Sequence, residues 1–214
     1  LEQVGPVYES YNRIDAIKNA EKDRFEVAVL DDGFQDFSVK KDLSVICFNE
    51  KQWIGNGLTI PSGPLREGLS ALNRASCVII NGEKNNNIEN KILEINKSIK
   101  IFYAKYKPEN LQDFIDKKVI CFAGIGNPLN FFNLLREEKI NIIEQISFPD
   151  HYNYSETELK KFIEKGKKNN AILLTTEKDY LRIDKKYRKI INFLKIKITI
   201  ENFDQFREEI KKII

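Results

Sequence analysis

The chain has 214 residues, 42% of them hydrophobic and 31% charged, which is enough to bury the core of one large domain or two small ones. Its 35 basic and 32 acidic side chains leave a net charge of only +3, so there is no strong electrostatic case for nucleic acid as a partner. No apolar run approaches the ~18 residues that cross a bilayer, and the start carries no signal-peptide pattern.

Cys47, Cys77 and Cys121 each sit in an apolar run, which predicts buried free thiols and a reducing compartment rather than a disulfide or a metal site. The sequence contains no methionine and begins at Leu1, and the expectation is a piece of a longer protein.

Val4 to Val7 reads as a short strand and turn. Arg13 to Lys22 then reads as a helix, with Ile14 and Ile17 on one face. Val27 to Leu30 is an apolar run of strand length that ends in Asp31-Asp32-Gly33-Phe34-Gln35. In α/β proteins ligands gather at the carboxyl ends of parallel strands, and paired acids there suit a Mg²⁺ ion. An ordinary Asp-Gly turn is the bland alternative.

Leu43 to Phe48 is a further buried strand. From Glu50 to Asn73 the breakers Gly55, Gly57, Pro61, Gly63, Pro64 and Gly68 predict a long ordered loop of the functional kind. In it Arg66 could fork onto a phosphate and Glu67 could assist at a metal, or the two could form a structural pair.

Cys77 to Ile80 is a strand, Ile88 to Lys97 a short helix or the approach to a strand, and Ile101 to Ala104 strand-like. Val119 to Ala123 is a clear buried strand running into Gly124-Ile125-Gly126. That turn resembles a phosphate loop but lacks the third glycine of a dinucleotide site and the lysine of a Walker loop. Leu129 to Glu138 is helical and Ile140 to Phe148 a strand.

His151, the one histidine, follows Asp150 and suits general acid–base work, or is a plain loop residue. Ser155 and Glu158 predict a capping box at the next helix. Ala171 to Leu174 is a strand leading to Thr175-Thr176-Glu177-Lys178-Asp179. There the threonines could offer hydroxyls or N–H groups to an anion, and Lys178 and Asp179 could be plain capping and surface charge. Alternation from Ile191 to Ile198 and an amphipathic helix from Phe203 to Ile213 close the chain. The order of elements predicts an α/β fold with a mostly parallel sheet and flanking helices, and a cut near Gly82 into segments 1–82 and 83–214.

Taken in order, Asp31 to Gln35, Gly55-Asn56-Gly57, Pro61 to Glu67, Asn81-Gly82, Phe122 to Pro128 with Phe131-Phe132, Phe148 to His151, and Thr176 to Asp179 resemble the tetraacyldisaccharide 4′-kinases. These are the lipid A kinases of Gram-negative bacteria. The resemblance implies a P-loop kinase that phosphorylates the 4′-hydroxyl of a lipid-linked disaccharide with ATP and Mg²⁺, peripheral to the cytoplasmic face of the inner membrane.

It implies that Asp31, Asp32 and Glu67 serve the metal and that Arg13, Gln35 and Arg66 serve nucleotide or substrate. His151 corresponds to the histidine that partners the catalytic aspartate, and Asp31 and Asp32 count with it as catalytic. Phosphoryl transfer asks mainly for such positioned charge.

Two departures stand out. Asp36 occupies the position where the family carries histidine, and no Gly-x-x-x-x-Gly-Lys-[Ser/Thr] loop occurs in these residues. The expectation is therefore the C-terminal two-thirds of a kinase, inactive alone. The alternative is a non-catalytic α/β module that binds a lipid headgroup or a protein partner.

Overall fold

A strand needs both an apolar run and a neighbour for its backbone groups, and the two requirements part company in this chain. The computed structural model describes residues 5–213; Val4, part of the first predicted strand, lies outside them, and Gly5 to Val7 form no strand. The chain divides into two compact units. The first runs to Lys105 and resumes at Ile198; the second is Tyr106–Lys197.

In the first unit α1 (Arg13–Lys22) precedes β1 (Val45–Asn49), β2 (Cys77–Asn81), α2 (Asn86–Ile95) and β3 (Lys100–Pro108). β1 pairs parallel with β2, Val45 opposite Cys77, and β2 pairs parallel with β3, Cys77 opposite Lys100. Asn85 caps α2 by accepting from the N–H groups of Asn87 and Ile88, which fixes that segment as a helix. Its Ile88 and Ile92 pack with Leu72, Val78 and Ile80 on one side of the sheet. Cys77, Phe102 and Phe206 fill the other, with the rings of Phe102 and Phe206 5.3 Å apart. The chain leaves this unit within β3 and returns to it within β8 (Ile196–Ile200), which leads to α6 (Phe203–Lys211).

The second unit holds β4 (Lys118–Ala123), α3 (Pro128–Glu137), β5 (Asn141–Ser147), α4 (Glu156–Asn169), β6 (Ala171–Thr176), α5 (Glu177–Tyr180) and β7 (Ile191–Leu194). Its sheet has the order β5-β4-β6-β7 with parallel pairings throughout. Val119 to Ala123 have no exposed surface, as expected of a parallel strand covered on both faces. Phe131, Phe132 and Leu135 of α3 cover one face, and Leu159 and Phe162 of α4 the other. The capping box of Ser155 and Glu158 is formed in both directions.

Four expectations change. Val27 to Leu30 is not a strand: among the described residues it pairs with no ladder, and Val29 is 92% exposed. Asp31 and Asp32 therefore stand in a turn, not at the end of a sheet strand. The alternating run near the C-terminus is two strands, β7 and β8, that belong to different sheets. Cys47 is exposed, while Cys77 and Cys121 are buried, their thiols pushed up to about 11 and about 12 by desolvation. The expected cut at Gly82 falls inside the first unit, because α2 and β3 beyond it share the core of β2.

Candidate functional site

Arg13, the first residue of α1, organises the acidic turn of the first unit. One of its terminal nitrogens meets Asp36 Oδ2 at 3.0 Å, and the other donates to the carbonyls of Asp31 and Asp32 at 3.1 and 3.2 Å. Asp32 itself is left-handed, with φ of 52°, a region in which Asp is among the better-tolerated residues. The next position must be glycine: a Cβ on Gly33 would stand 2.7 Å from Leu30 Cβ.

Asp36 accepts from the hydroxyl and the N–H of Ser38, at 2.5 and 2.8 Å. Those two bonds, with Arg13, hold its carboxyl down at about 2. Lys41 completes the frame by donating to the carbonyls of Gly33 and Asp36.

The long loop delivers the partners. Asn56 donates to Ser62 O at 2.7 Å and accepts from Leu58 N–H at 3.1 Å, so the Gly-Asn-Gly stretch is a loop clasp. Gly63 lies against it, and any Cβ there would be 2.2 Å from both Asn56 Oδ1 and Leu58 O.

Arg66 and Glu67 do not pair with each other. One Arg66 nitrogen straddles both carboxylate oxygens of Asp32 at 2.6 Å, which raises the guanidinium's pKa. Glu67 pairs with Arg74 at 2.7 Å, and Arg74 lies over the rings of Phe34 and Phe37 at 4.8 and 5.0 Å.

Gln35 is half-buried, and it joins Asp31, Asp32, Arg66 and Glu67 in lining a cleft of about 1370 Å³ within this unit. The Asp31 side chain makes no hydrogen bond or ion pair among the described residues. No group of three or more His, Cys, Asp or Glu side chains gathers as a metal cluster among them.

His151 belongs to the second unit. It too is left-handed, with φ of 60°. Its N–H donates to Gly124 O at 3.1 Å and to Asp150 Oδ1 at 2.9 Å. The ring lies between Asp150, 3.8 Å from Nε2, and Arg182, 2.9 Å from Nδ1.

Behind it the glycine turn is not an open phosphate cradle: Gly124 N–H is taken by the Asp179 carboxylate at 3.0 Å. The adjacent threonine hydroxyls are also spent internally, Thr175 on Phe122 O and Thr176 on Asp179. Asp179, for which plain capping and surface charge was one reading, has no exposed surface at all.

Sequence reasoning missed Arg74, Lys41 and Arg182 as members of these clusters, and left Asp179 open between a functional stretch and plain capping or surface charge. For Asp179 and Arg182 a signal existed. Thr176, Asp179 and Arg182 recur every three residues, a spacing that stacks side chains on one side of a helical turn.

The sequence profile of the tetraacyldisaccharide-1-P 4′-kinases (LpxK) matches residues 2–214. A tetraacyldisaccharide 4′-kinase of Pelagibacter ubique is 38% identical over 100% of this chain, which spans 69% of that protein. One of Parvibaculum lavamentivorans is 34% identical over 86% of this chain, here spanning 54% of the relative. Among solved structures, LpxK of Aquifex aeolicus, crystallised with ATP, superposes with a TM-score of 0.68 at 25% identity, covering 92% of this chain and 61% of that one. The chain thus spans between about half and about two-thirds of the length of its relatives. It belongs to the tetraacyldisaccharide-1-P 4′-kinase family.

Proposed function

We propose that this chain carries the acidic turn and active-site loop of an ATP-dependent kinase acting on the 4′-hydroxyl of a tetraacyldisaccharide 1-phosphate in lipid A biosynthesis. The observation that carries the reading is the convergence of Arg13, Asp32 and Arg66 on one glycine-ended turn in the first unit. A constellation of acids framed by arginines is what transfer between phosphate-bearing substrates asks for.

In this reading Asp31 and Asp32 would hold Mg²⁺, while Glu67, paired with Arg74, does not gather with them as a third donor among the described residues. Mg²⁺ is satisfied by one or two carboxylates plus waters and phosphate oxygens, so the donor set fits. Among the described residues the Asp31 side chain has no partner, and Asp32 would exchange Arg66 for the cation. The bound ion supplies charge neutralisation at the transferring phosphate.

Arg13 fixes the backbone on which both acids stand, and Gln35 and Arg66 bind nucleotide or substrate. His151, in the second unit, is read as the partner of the catalytic aspartate. A lipid-linked acceptor puts the protein peripherally at the cytoplasmic face of the inner membrane; no helix among the described residues is long and apolar enough to cross one.

The test is phosphate transfer from ATP to the disaccharide acceptor by the product of the whole reading frame that encodes this chain. Asp31→Asn and His151→Ala are each expected to lower kcat by roughly a hundredfold or more with the fold intact. The 214-residue chain by itself should transfer none. Activity indifferent to both substitutions would favour a binding module whose motifs are scaffold.

A further inference from the structure

A buried acid, an arginine and the single histidine stand in series in the second unit. Asp179 Oδ2 accepts from Gly124 N–H at 3.0 Å and from the Thr176 hydroxyl at 2.7 Å. Oδ1 makes no hydrogen bond among the described residues and faces Arg182 at 3.6 Å.

A buried carboxylate needs a compensating charge, so Arg182 is held on this side of the turn. From there its other bonds run outward, to Gly124 O at 3.3 Å and to His151 Nδ1 at 2.9 Å. A guanidinium has donors only. Nδ1 must therefore accept, which leaves the imidazole proton on Nε2, the nitrogen 3.8 Å from Asp150 Oδ2. The ring is otherwise exposed, and the left-handed backbone fixes only where it starts.

We infer that Arg182, seated on the buried Asp179, is a positioning residue that presents His151 to the reaction as its Nε2–H tautomer. The role rests on reading His151 as a group of the transfer reaction. With Nδ1 engaged, the face His151 offers outward is a hydrogen-bond donor, suited to a carboxylate or phosphate oxygen. Lys178 approaches the same Asp150 carboxylate at 3.8 Å, so Asp150 is shared between a cation and the ring.

Because the sequence holds one histidine, ¹⁵N imidazole spectra of the 214-residue chain need no assignment. In alkaline buffer the spectrum should show an unprotonated, hydrogen-bonded Nδ1 and no Nδ1–H form. Arg182→Met should give the mixture of tautomers of a free imidazole. Should that variant fail to fold, Arg182→Lys keeps a cation beside Asp179 but cannot reach both partners, and it should give the same mixture. A mixture in the unsubstituted chain, or an Nδ1 signal unchanged by the substitutions, overturns the assignment.

In the whole gene product Arg182→Lys should lower kcat by about tenfold and leave KM for ATP in place. An unchanged kcat, where His151→Ala abolishes transfer, overturns it as well. If instead His151→Ala leaves transfer intact while the spectra behave as expected, the reading of His151 falls and the hold of Arg182 on the ring stands.

Discussion

Two turns in this molecule use the same materials and differ in where water can reach. At Asp31-Asp32-Gly33 the acids are exposed; Arg13 of α1 holds their backbone carbonyls, and Arg66 of the long loop pairs with the Asp32 carboxylate. At Gly124 the acid is wholly buried, supplied from the start of α5, and it clamps the turn from behind. The first arrangement can exchange its partners for a ligand at small cost, because exposed ion pairs are weak and screened. The second cannot, because removing either partner leaves an uncompensated charge in the interior. Asp32 is a left-handed non-glycine residue within the first turn, and a left-handed His151 bonds to Gly124 O of the second from a neighbouring turn. The backbone is specialised in both places, but only the first is free to rearrange around a substrate.

The contrast is sharpest in the response to losing an acid. Asp179→Ala should destabilise the second unit by about 3–5 kcal/mol, since it strands the Arg182 cation and unpairs the Gly124 N–H. Urea unfolding of the chain checks this, and a loss below ~1 kcal/mol would mean that the interior tolerates the change and that the two turns are alike. Thr176→Val is a smaller break in the same clamp. Thr176 Oγ1 accepts from Asp179 N–H at 3.1 Å as the cap of α5, and such caps are worth about 1 kcal/mol. Arg66→Ala, at the exposed turn, should leave the urea midpoint where it is while impairing phosphate transfer by the whole gene product. A large drop in stability there would make the Arg66–Asp32 pair a structural strut.

The second unit was far more legible in the sequence than the first. Val119 to Ala123 and Ala171 to Leu174 are continuous apolar runs, and a run buried on both faces announces a parallel strand without help from its neighbours. Ser155 and Glu158 likewise carry their capping box in local spacing. Val27 to Leu30 has the same composition yet forms no ladder, because pairing is a property of two segments and the run specifies only one.

The motif residues themselves were readable: Asp31, Asp32, Gln35, Arg66, Glu67 and His151 were all singled out from the sequence. Their partners were not, because Arg66 reaches Asp32 across 34 positions and Arg182 reaches His151 across 31. The burial of Asp179 was not readable for a related reason. A charged residue in a short polar stretch reads as surface, and its burial depends on a glycine turn 55 positions away.

Asp36 gives the finest test of the exposed turn. Its carboxyl is held at about 2, first by the Ser38 hydroxyl, then by the Ser38 N–H and Arg13. A group whose folded pKa lies below its unfolded value, roughly 3.9 for Asp, stabilises the fold fully above that value. The contribution disappears as pH falls from about 4 towards about 2, when the folded carboxylate takes up its proton. Asp36→Asn keeps the shape and removes the charge, so the gap in urea midpoint between it and the unsubstituted chain should be constant from neutral pH to about pH 5 and close below about pH 4. Other carboxylates titrate in the same range, Glu156 among them, held at about 2 by Lys160 and Lys186. Because they titrate in both proteins, the difference isolates Asp36. A gap that stays constant down to pH 2 would mean that Asp36 acts through shape alone and that Arg13 is held in place by the backbone carbonyls of Asp31 and Asp32. A gap that closes shows that the Asp36 carboxylate contributes its charge to the acidic turn.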